Sequence, residues 1–343
     1  MLTAVALSGG ADSLSALSRV RAQGDKAIAV HAFFLPPEDQ DRWKTDQLQK
    51  LCSLLDVRLV TLDLSAEFAQ EIIHPFMAAY KNGLTPNPCS LCNRRIKFKL
   101  LLKHCLDLGA ERMATGHYAR LVRGSLWRGK DPAKDQSYFL SLTEEKNLRR
   151  AVFPLGESFK HKIVFDLRKQ GLTPVQRNES QEICFIPGDY RDFLRRNCPD
   201  LGGPGPIIGP GGERLGTHRG LWAYTPGQRR GLGVAYRYPL YVLDKDPAEN
   251  ALIVGAKEDL AVSGCMVRAP NFLVPPENWP DTVWIQTRYR QTSSPARVLE
   301  ISKKRMRISF IHPQKKPAPG QTAAIYSEKG QVLAGAVIAN EIP

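Results

Sequence analysis

The sequence predicts an α/β fold, in which a doubly wound parallel sheet is followed by a small linking domain and a C-terminal β-barrel. Up to roughly residue 185, short apolar runs alternate with longer amphipathic segments, which is typical of parallel strands joined by helices. From about residue 271, short alternating runs recur at strand-plus-turn intervals, which indicates a small closed barrel. A length of 343 residues favours two or three domains. We expect these domains at residues 1–200, 201–268 and 269–343.

The predicted sheet begins with strands at residues 3–8, 27–34 and 57–64, and a further strand is expected in "RMATGHY" at 112–118. Helices are predicted from residue 11 to Gly24, at 43–55, and at 93–109, where Gly109 is the expected C-terminal cap. Residues 201–220 are dense in glycine and proline and indicate a boundary or an exposed loop. The runs that follow are short strand candidates: "PLYVLDKD", "ALIVGA", "TVWIQTRYR", "ARVLEI", "MRISFI", "QTAAIYS" and "QVLAGAVI".

The charge balance favours a polyanionic partner. Lys and Arg number 48 against 34 Asp and Glu, which gives a net charge of +14. Nucleic acid is the commonest partner of such a chain. No apolar run reaches the ~18 residues of a membrane span, and the N-terminus lacks the basic region of a signal peptide. We therefore expect a cytoplasmic protein whose seven cysteines are reduced thiols, metal ligands or catalysts.

Residues 8–13, "SGGADS", connect the first strand to the first helix and are called the phosphate loop below. Two adjacent glycines let the backbone approach a phosphate closely, and the helix N-terminus adds free N–H groups and a positive dipole end. Asp12 would repel a phosphate unless it serves Mg²⁺ or caps the helix. No Gly-Lys-Ser/Thr follows, so this is not a Walker loop. Taken alone, the segment fits a phosphate site or a simple capped turn equally well.

S-G-G-x-D-S after a first strand resembles the PP-loop of ATP pyrophosphatases. The resemblance implies that ATP transfers AMP to a carbonyl or carboxylate oxygen and releases pyrophosphate, with Mg²⁺ as a cofactor. It leaves the acceptor open.

The cysteines supply a candidate nucleophile. Cys89 and Cys92 form a Cys-x-x-Cys in "TPNPCSLCNRRIKFK", and Cys184 stands apart in "ESQEICFIPG". We expect a helix N-terminus and the nearby basic residues to lower the pKa of Cys92. A structural zinc site would need a second pair of ligands, and a thioredoxin-like role does not fit an ATP loop. Persulfide chemistry and an iron–sulfur site remain open.

Ordered blocks across nearly the whole chain make the resemblance more specific: "TPNPCSLCNRRIKFK", "ATGHYARL", "KDQSYFL", "FPLG", "ESQEICFIPGDY", "GTHRGLWAYTPGQRRGLG", "PLYVLDKDPAENALIVG" and "TRYRQTSSPA". They resemble the bacterial tRNA 2-thiouridylase family. The resemblance implies an ATP-dependent enzyme that adenylates the C2 oxygen of the wobble uridine of tRNA and replaces it with sulfur.

The family's roles are carried over by matching motif positions. Cys92 matches the nucleophile and Cys184 the cysteine that receives the persulfide. The implied ATP-binding residues are Ala6, Leu7, Ser8, Gly9, Gly10, Ala11, Asp12, Ser13, Ala32 and Gly116. The implied tRNA-binding residues are Asn87, Pro88, Cys89, His117, Lys134, Asp135, Gln136, Arg288, Tyr289 and Gln321. Tyr289 is also a stacking candidate from its own context, because Arg288 and Arg290 flank it.

Cys89 departs from the family pattern, which usually has an aspartate at this position. A thiol is a poor substitute for a carboxylate as a base or hydrogen-bond acceptor. Two mechanisms follow: Cys92 and Cys184 carry a persulfide, or Cys89, Cys92 and Cys184 together ligate a [4Fe-4S] cluster that holds a sulfide. The sulfur would come from a donor protein or inorganic sulfide. The alternative functions are another PP-loop enzyme acting on a small molecule and a non-catalytic RNA-binding protein.

Overall fold

The computed structural model describes residues 1–176 and 183–340. Within them, the chain forms a five-stranded sheet, a two-stranded hairpin, a four-stranded sheet and a closed six-stranded barrel. No helix in these residues combines the length and the apolar character that crossing a membrane requires. The predicted fold class is confirmed.

The first sheet is parallel throughout, with the order β3-β2-β1-β4-β7. Its strands are β1 (Leu2–Ala6), β2 (Lys26–Phe33), β3 (Arg58–Asp63), β4 (Arg112–Ala114) and β7 (Ala151–Val152), while β5 (Ala119–Val122) and β6 (Ser125–Arg128) form the separate hairpin. The chain turns to one side of β1 to make β2 and β3 and to the other side to make β4 and β7. Such a reversal of strand order opens a crevice at the carboxyl ends of the strands, between β1 and β4.

Helices lie on both faces of the parallel sheet, and others pack on neighbouring units. The helices of the described residues are α1 (Ala11–Ala22), α2 (Asp39–Leu54), α3 (Ser65–Phe68), α4 (His74–Lys81), α5 (Pro88–Cys92), α6 (Leu102–Asp107), α7 (Ser137–Leu140), α8 (Glu145–Leu148), α9 (Lys160–Lys169) and α10 (Tyr190–Asn197). Two π-helical segments, π1 (Ala69–Ile73) and π2 (Asn93–Leu101), join α3 to α4 and α5 to α6. Short 3₁₀ turns occur at Leu221–Ala223, Glu258–Leu260 and Pro276–Asn278.

Alternation along β1 decides which helices lie on which face. Val5 packs in one buried cluster with Leu17 of α1 and Leu48 of α2. Ala4, one position earlier, belongs to a different cluster that contains Ile96 of π2. Because successive side chains of a strand point to opposite faces, both faces of this strand are buried, as a parallel sheet requires.

The predicted helix at 93–109 is present and ends near Gly109, whose φ is +86°. Its first nine residues are wound as a π-helix, however, which the apolar periodicity did not indicate. The predicted helix at 43–55 begins earlier, at Asp39, and the fourth strand ends at Ala114 instead of continuing through "TGHY".

The central unit is a four-stranded sheet with the order β10-β11-β8-β9. Its strands are β8 (Gly205–Ile208), β9 (Arg214–His218), β10 (Tyr241–Asp246) and β11 (Ala251–Gly255). Residues 201–220, expected to be a boundary or an exposed loop, therefore contribute two paired strands. The glycines here serve close packing: a Cβ on Gly205 would lie 2.1 Å from the Asn250 carbonyl oxygen, and one on Gly216 would lie 2.8 Å from Val234 Cγ1.

The barrel closes in the order β12-β15-β14-β13-β16-β17. Its strands are β12 (Ala261–Phe272), β13 (Val283–Gln286), β14 (Ser294–Ile301), β15 (Arg305–Lys315), β16 (Thr322–Tyr326) and β17 (Val332–Ile338). Its interior is a separate apolar cluster that includes Val267, Ile308 and Ile325. Closure removes the free sheet edges that an open sheet would expose.

A polar joint fastens the barrel to the first unit. The Arg128 guanidinium lies 3.6 Å from the centre of the Tyr326 ring and donates to Asp135 Oδ2 at 2.8 Å and to Gln286 Oε1 at 3.0 Å. Ser137 adds a 3.2 Å contact with the Tyr326 hydroxyl. Because the partners of the half-buried Arg128 are buried and hydrogen-bonded, the joint holds the barrel in a defined position beside the sheet.

Candidate active site

Three of the segments predicted to bind ATP meet where the parallel strands end. The phosphate loop follows β1, Ala32 lies near the end of β2, and Gly116 follows β4. β2 and β4 are the two neighbours of β1 in the sheet. The crevice at the carboxyl ends of the strands is the usual place for a ligand in this class of fold.

Hydrogen bonds of two serine hydroxyls fix the conformation of the phosphate loop. Ser13 Oγ donates to the Gly10 carbonyl at 2.9 Å and lies 3.1 Å from Ser8 Oγ. Gly9 has a φ of +93°, a conformation that side chains strongly disfavour. Gly10 caps α1 without a side-chain hydrogen bond. The first N–H groups of α1 are therefore left without a side-chain cap at the end of the helix where an anion is favoured.

Asp12 is bound by two groups from elsewhere in the chain. Lys160 Nζ, at the start of α9, lies 2.8 and 2.9 Å from its two carboxylate oxygens. The Tyr118 hydroxyl donates to Oδ1 at 2.7 Å. Of the two roles considered for Asp12, helix capping is wrong, because Gly10 is the capping residue. The carboxylate charge is compensated by an ammonium group beside the loop.

Gly116 is required by the close approach of two chain segments. A Cβ at this position would lie 2.7 Å from the Asp12 carbonyl carbon and 2.9 Å from the Ser13 nitrogen. The loop after β4 therefore rests directly on the first turn of α1. A larger residue would push the phosphate loop out of place.

Cys89 and Cys92 lie on α5, whose N-terminus is capped by Asn87. The Asn87 side-chain oxygen accepts from Ser90 N at 3.2 Å, and Pro88 occupies the first helical position, where its missing N–H costs nothing. Cys89 falls in this first turn and is exposed, whereas Cys92 ends the helix and is buried.

The expectation that a helix N-terminus lowers the pKa of Cys92 is wrong. Cys92 lies at the end of α5, and burial raises the pKa of its thiol to about 12, against the opposing charge of Lys97. The pKa of Cys89 is raised to about 11, again mainly by the surrounding protein, although its surface is exposed. Arg95, one of the basic residues expected to act on the thiols, instead forms an ion pair with Glu71 at 2.8 Å.

Cys184 joins these two thiols from a distant part of the chain. The charge of Cys184 acts to raise the pKa of Cys89 and of Cys92, which indicates that its sulfur lies near theirs. The next residue, Phe185, anchors this segment by ring contacts with Phe68 at 5.7 Å and Phe76 at 5.3 Å. Cys184 itself stays exposed, and desolvation raises its pKa as well.

Lys97 is the cation common to the whole site. Its charge acts to lower the pKa of all three thiols and of His117, which follows Gly116. It lies five residues after Cys92, and the i→i+5 winding of π2 brings positions five apart near one side of the helix. Desolvation first, and Lys97 second, hold the pKa of His117 well below its usual range. Lys97 thus connects the thiols to the crevice.

The arrangement of the three thiols bears on whether they could together ligate a metal. In the stretches 1–176 and 183–340, no group of three or more His, Cys, Asp or Glu side chains is placed so that it could hold a metal ion. A [4Fe-4S] cluster on three cysteines needs the sulfurs to converge on one metal centre. The arrangement of Cys89, Cys92 and Cys184 does not fit this group.

Several residues predicted to contact tRNA are engaged within the protein. Asp135 is buried and accepts hydrogen bonds from Gly129 N and from Ser137, in addition to its ion pair with Arg128. Gln136 Oε1 accepts from Tyr118 N at 3.0 Å. In this conformation the side chains of Asp135 and Gln136 bind other parts of the protein and support the loops around the site.

Three predicted tRNA contacts, Arg288, Tyr289 and Gln321, belong to the barrel and contact the other two units. Gln321 Nε2 donates to the carbonyl oxygens of Thr85 at 2.9 Å and Pro86 at 3.1 Å. Arg288 Nη2 donates to the Pro226 carbonyl at 2.8 Å, and the Tyr289 ring lies 4.3 Å from that of Phe139. The barrel therefore holds the turn that precedes α5, which carries Cys89 and Cys92 and is called the cysteine helix below.

Sequence reasoning missed the partners that complete this site. Lys160 and Tyr118 were not singled out as site residues, because no local motif marks their contact with Asp12. Lys97 was noted as a nearby positive charge, yet nothing in the sequence indicated that it acts on His117. "ESQE" at 179–182, two residues before Cys184, belongs to the block "ESQEICFIPGDY" and lies outside the described residues.

Three family models match the chain in succession. They are described as a tRNA methyl transferase HUP domain at residues 1–188, a tRNA methyl transferase PRC-barrel domain at 191–256, and an aminomethyltransferase beta-barrel domain at 262–338.

Relatives that match the chain over nearly its full length are described as thiouridylases and not as methyl transferases. The tRNA-specific 2-thiouridylase MnmA of Nitratidesulfovibrio vulgaris (strain Miyazaki F) is 48% identical over 98% of this chain and 99% of its own length. The protein of the same description from Oleidesulfovibrio alaskensis is 48% identical over 99% of both chains. A solved 4-thiouridine synthetase–RNA complex with bound ATP aligns over 58% of this chain and 50% of its own, at 18% identity and a TM-score of 0.36, which is too weak to carry an inference.

Proposed function

This chain belongs to the tRNA-specific 2-thiouridylase family, and from this premise we propose how its own residues move sulfur to tRNA. The enzyme thiolates tRNA at the expense of ATP. The observation that supports the residue-level proposal is that the charge of Lys97 acts on Cys89, Cys92 and Cys184 and also on His117, in the loop that follows β4. The three units proposed at residues 1–200, 201–268 and 269–343 divide the work between catalysis, linkage and tRNA contact.

ATP binds with its phosphates on the phosphate loop and its nucleoside toward Ala32 and Gly116. The uridine C2 oxygen attacks the α-phosphorus, the bond from that phosphorus to the bridging oxygen breaks, and pyrophosphate leaves with the electron pair. The N-terminal N–H groups of α1 stabilise the negative charge that builds up there. Mg²⁺ would accompany the phosphates; Asp12 is the carboxylate within the phosphate loop that could hold it, and it is paired with Lys160.

Sulfur then enters through the cysteine pair. A persulfide on Cys184 attacks C2 with its terminal sulfur, and AMP leaves from that carbon. The Cys92 thiolate attacks Cys184 Sγ, so that a Cys92–Cys184 disulfide forms and the sulfur stays on the tRNA as 2-thiouridine. An external thiol must reduce the disulfide before the next turnover. Lys97 stabilises the anionic sulfur, which the raised thiol pKa values otherwise disfavour.

Cys89 is the residue whose role the persulfide route leaves open. It is exposed and shares the charge environment of Cys184, so it can serve as a second resolving thiol. A [4Fe-4S] cluster bound by all three cysteines is the alternative source of sulfur, but the arrangement of these side chains in the described residues does not fit that group.

The substrate approaches from the barrel side. Asn87, Pro88 and Cys89 would meet the target base, and the wobble uridine is inexpensive to extrude because it lies in a loop. His117, Lys134, Arg288, Tyr289 and Gln321 surround this approach. A persulfide-carrying donor protein or inorganic sulfide supplies the sulfur, in the cytoplasm, where tRNA is modified.

The test is to incubate the full-length protein with ATP, Mg²⁺, unmodified tRNA and a persulfide donor. We expect 2-thiouridine by mass spectrometry, together with AMP and pyrophosphate in equal amounts. Pyrophosphate release without a need for tRNA would instead indicate a small-molecule substrate. If neither 2-thiouridine nor pyrophosphate forms, the result would support a non-catalytic RNA-binding protein.

The cysteine roles need matched variants. Cys92→Ser and Cys184→Ser should abolish 2-thiouridine, whereas Cys265→Ala, in the buried wall of the barrel, should retain it. Anaerobic preparation followed by iron and sulfide assays tests the cluster. A Cys89→Asp variant that thiolates fully without iron would support the persulfide route, and a stoichiometric cluster required for activity would contradict it.

A further inference from the structure

The phosphate loop lacks a cation of its own. Residues 8–13 contain no lysine or arginine, and their only charged side chain is the carboxylate of Asp12. In a Walker loop a lysine within the loop reaches the β- and γ-phosphates. ATP carries several negative charges on its phosphates, so a loop of this kind needs positive charge from another part of the chain.

Helix α2 brings Lys44 onto this loop. A Cβ built on Gly9 would lie 3.6 Å from Lys44 Cε and 3.6 Å from Leu48 Cδ2. The aliphatic part of Lys44 therefore lies in contact distance of Gly9, and its ammonium nitrogen is one bond farther along. Leu48 is fully buried and fixes this part of α2 against the sheet.

The ammonium of Lys44 has no counterion within the part of the chain that the structure describes. Among the described residues it makes no hydrogen bond or ion pair. Asp41, one turn earlier, is the acidic side chain of residues 1–176 and 183–340 whose charge acts on Lys44, and Asp41 Oδ2 accepts a hydrogen bond from Glu38 N at 2.9 Å. Lys160, the other cation beside the loop, is already paired with Asp12. The half-buried Lys44 is left as a cation beside an anion-binding loop.

We propose that Lys44 binds the β- and γ-phosphates of ATP and stabilises the departing pyrophosphate; this rests on the proposed use of the loop for ATP. As the bond between the α-phosphorus and the bridging oxygen breaks, negative charge grows on the pyrophosphate oxygen. The ammonium of Lys44 compensates that charge. The α-phosphate stays with the nucleoside, so Lys44 distinguishes ATP and pyrophosphate from AMP. Partial removal of Lys44 from water, which lowers its pKa, favours pairing with an anion.

The experiment measures binding of ATP, pyrophosphate and AMP to the full-length protein by calorimetry, without tRNA. Lys44→Ala should weaken binding of ATP and of pyrophosphate by roughly 10- to 100-fold, the usual effect of losing a charge-assisted hydrogen bond, and leave AMP binding within about 2-fold. Lys44→Arg should restore most of the affinity. Lys50→Ala, on an exposed position of the same helix, is the matched control and should bind all three ligands as the unaltered protein does.

Two outcomes would overturn the inference. In one, Lys44→Ala binds ATP and pyrophosphate normally; in the other, it loses AMP affinity to the same extent, which would mean that Lys44 only shapes the loop. Thiouridine formation is scored separately in the unaltered protein. A protein that needs Lys44 for ATP but makes no 2-thiouridine would contradict the proposed sulfur transfer and leave this inference standing.

Discussion

The thiol of Cys92 shows how two opposing influences act on a single residue. Lys97 favours the thiolate, while burial of the sulfur favours the neutral thiol, and burial prevails, so that the pKa is raised to about 12. Cys89 has a pKa of about 11 for the same reason. The resting protein therefore holds its sulfur nucleophiles protonated. Near neutral pH only a small fraction is thiolate, and that fraction grows if substrate or donor alters the surroundings of the sulfur.

A pH series tests this protonation state at Cys89. Because its pKa is raised, the thiolate fraction at pH 7 to 9 is small and grows about tenfold for each pH unit. We expect the rate of alkylation of Cys89 by iodoacetamide, followed by peptide mass spectrometry, to rise without a plateau up to about pH 10. Lys97→Ala should slow the reaction at every pH, while Lys99→Ala, at an exposed position, should not. A plateau below pH 8 would contradict the raised pKa.

Gly116 provides a second prediction for a single residue. Gly116→Ala places a methyl group 2.7 Å from the Asp12 carbonyl carbon, so the phosphate loop must shift. We expect ATP affinity to fall at least tenfold and the free energy of unfolding to drop by about 1–3 kcal/mol, as for other overpacked sites. Calorimetry and thermal unfolding measure the two effects. Gly202→Ala serves as the control because nothing lies within 4 Å of that position; equal effects in both variants would refute the packing argument.

At the scale of the elements, the loop that precedes β16 is hydrogen-bonded to the turn that precedes α5. Gln321 binds the carbonyls of Thr85 and Pro86, and Thr85 N donates to the Pro319 carbonyl at 2.8 Å. The Tyr138 hydroxyl, on α7, donates to the Thr322 carbonyl at 2.8 Å and closes the same junction. The barrel thus positions the cysteine helix even before tRNA is bound.

Replacement of Gln321 separates this positioning role from RNA contact. Gln321→Ala removes two hydrogen bonds, worth about 1 kcal/mol each in net terms, and frees the turn before α5. We expect alkylation of Cys89 without tRNA to accelerate by roughly 3- to 10-fold. Gln314→Ala, whose side chain bonds within the barrel, is the control. Unchanged alkylation with weaker tRNA binding would assign Gln321 to RNA contact only.

At the scale of the whole molecule, the net charge of +14 is spread over all three units. Arg219, Arg229, Arg230 and Arg237 lie on the central unit, and Arg288 and Lys315 lie where the barrel meets it. Such a surface attracts a polyanion over long distances, and it is screened by salt.

The affinity for tRNA should therefore depend on salt concentration much more strongly than the affinity for ATP. Raising the salt concentration from about 50 to 200 mM is expected to weaken tRNA binding by at least tenfold, because several counterions are released from the RNA. ATP binding at the more enclosed phosphate loop should change much less. Electrophoretic mobility shift and calorimetry give the two affinities. Equal salt sensitivity for ATP and tRNA would argue against an extended electrostatic interface.

The order of strands and helices, the barrel and the phosphate loop could be predicted from the sequence because their signals are local. Apolar periodicity, adjacent glycines and a Cys-x-x-Cys after a proline are each read within a few residues. "SGGADS" indicated ATP chemistry in this way, and the family blocks around Cys92 and Cys184 indicated thiolation of tRNA. The comparisons confirmed the family; the individual site residues stay predictions.

The tertiary structure alone decided the electrostatics of the site. Lys160 reaches Asp12 across 148 positions of sequence, and Lys44 approaches Gly9 from a separate helix. Burial raised the pKa of Cys92, although its neighbours in sequence predicted the opposite. A pKa, like an ion pair, depends on every atom within several ångströms, and most of those atoms belong to residues far away along the chain. The sequence by itself therefore determined the kind of chemistry, and the fold determined which charges act on it.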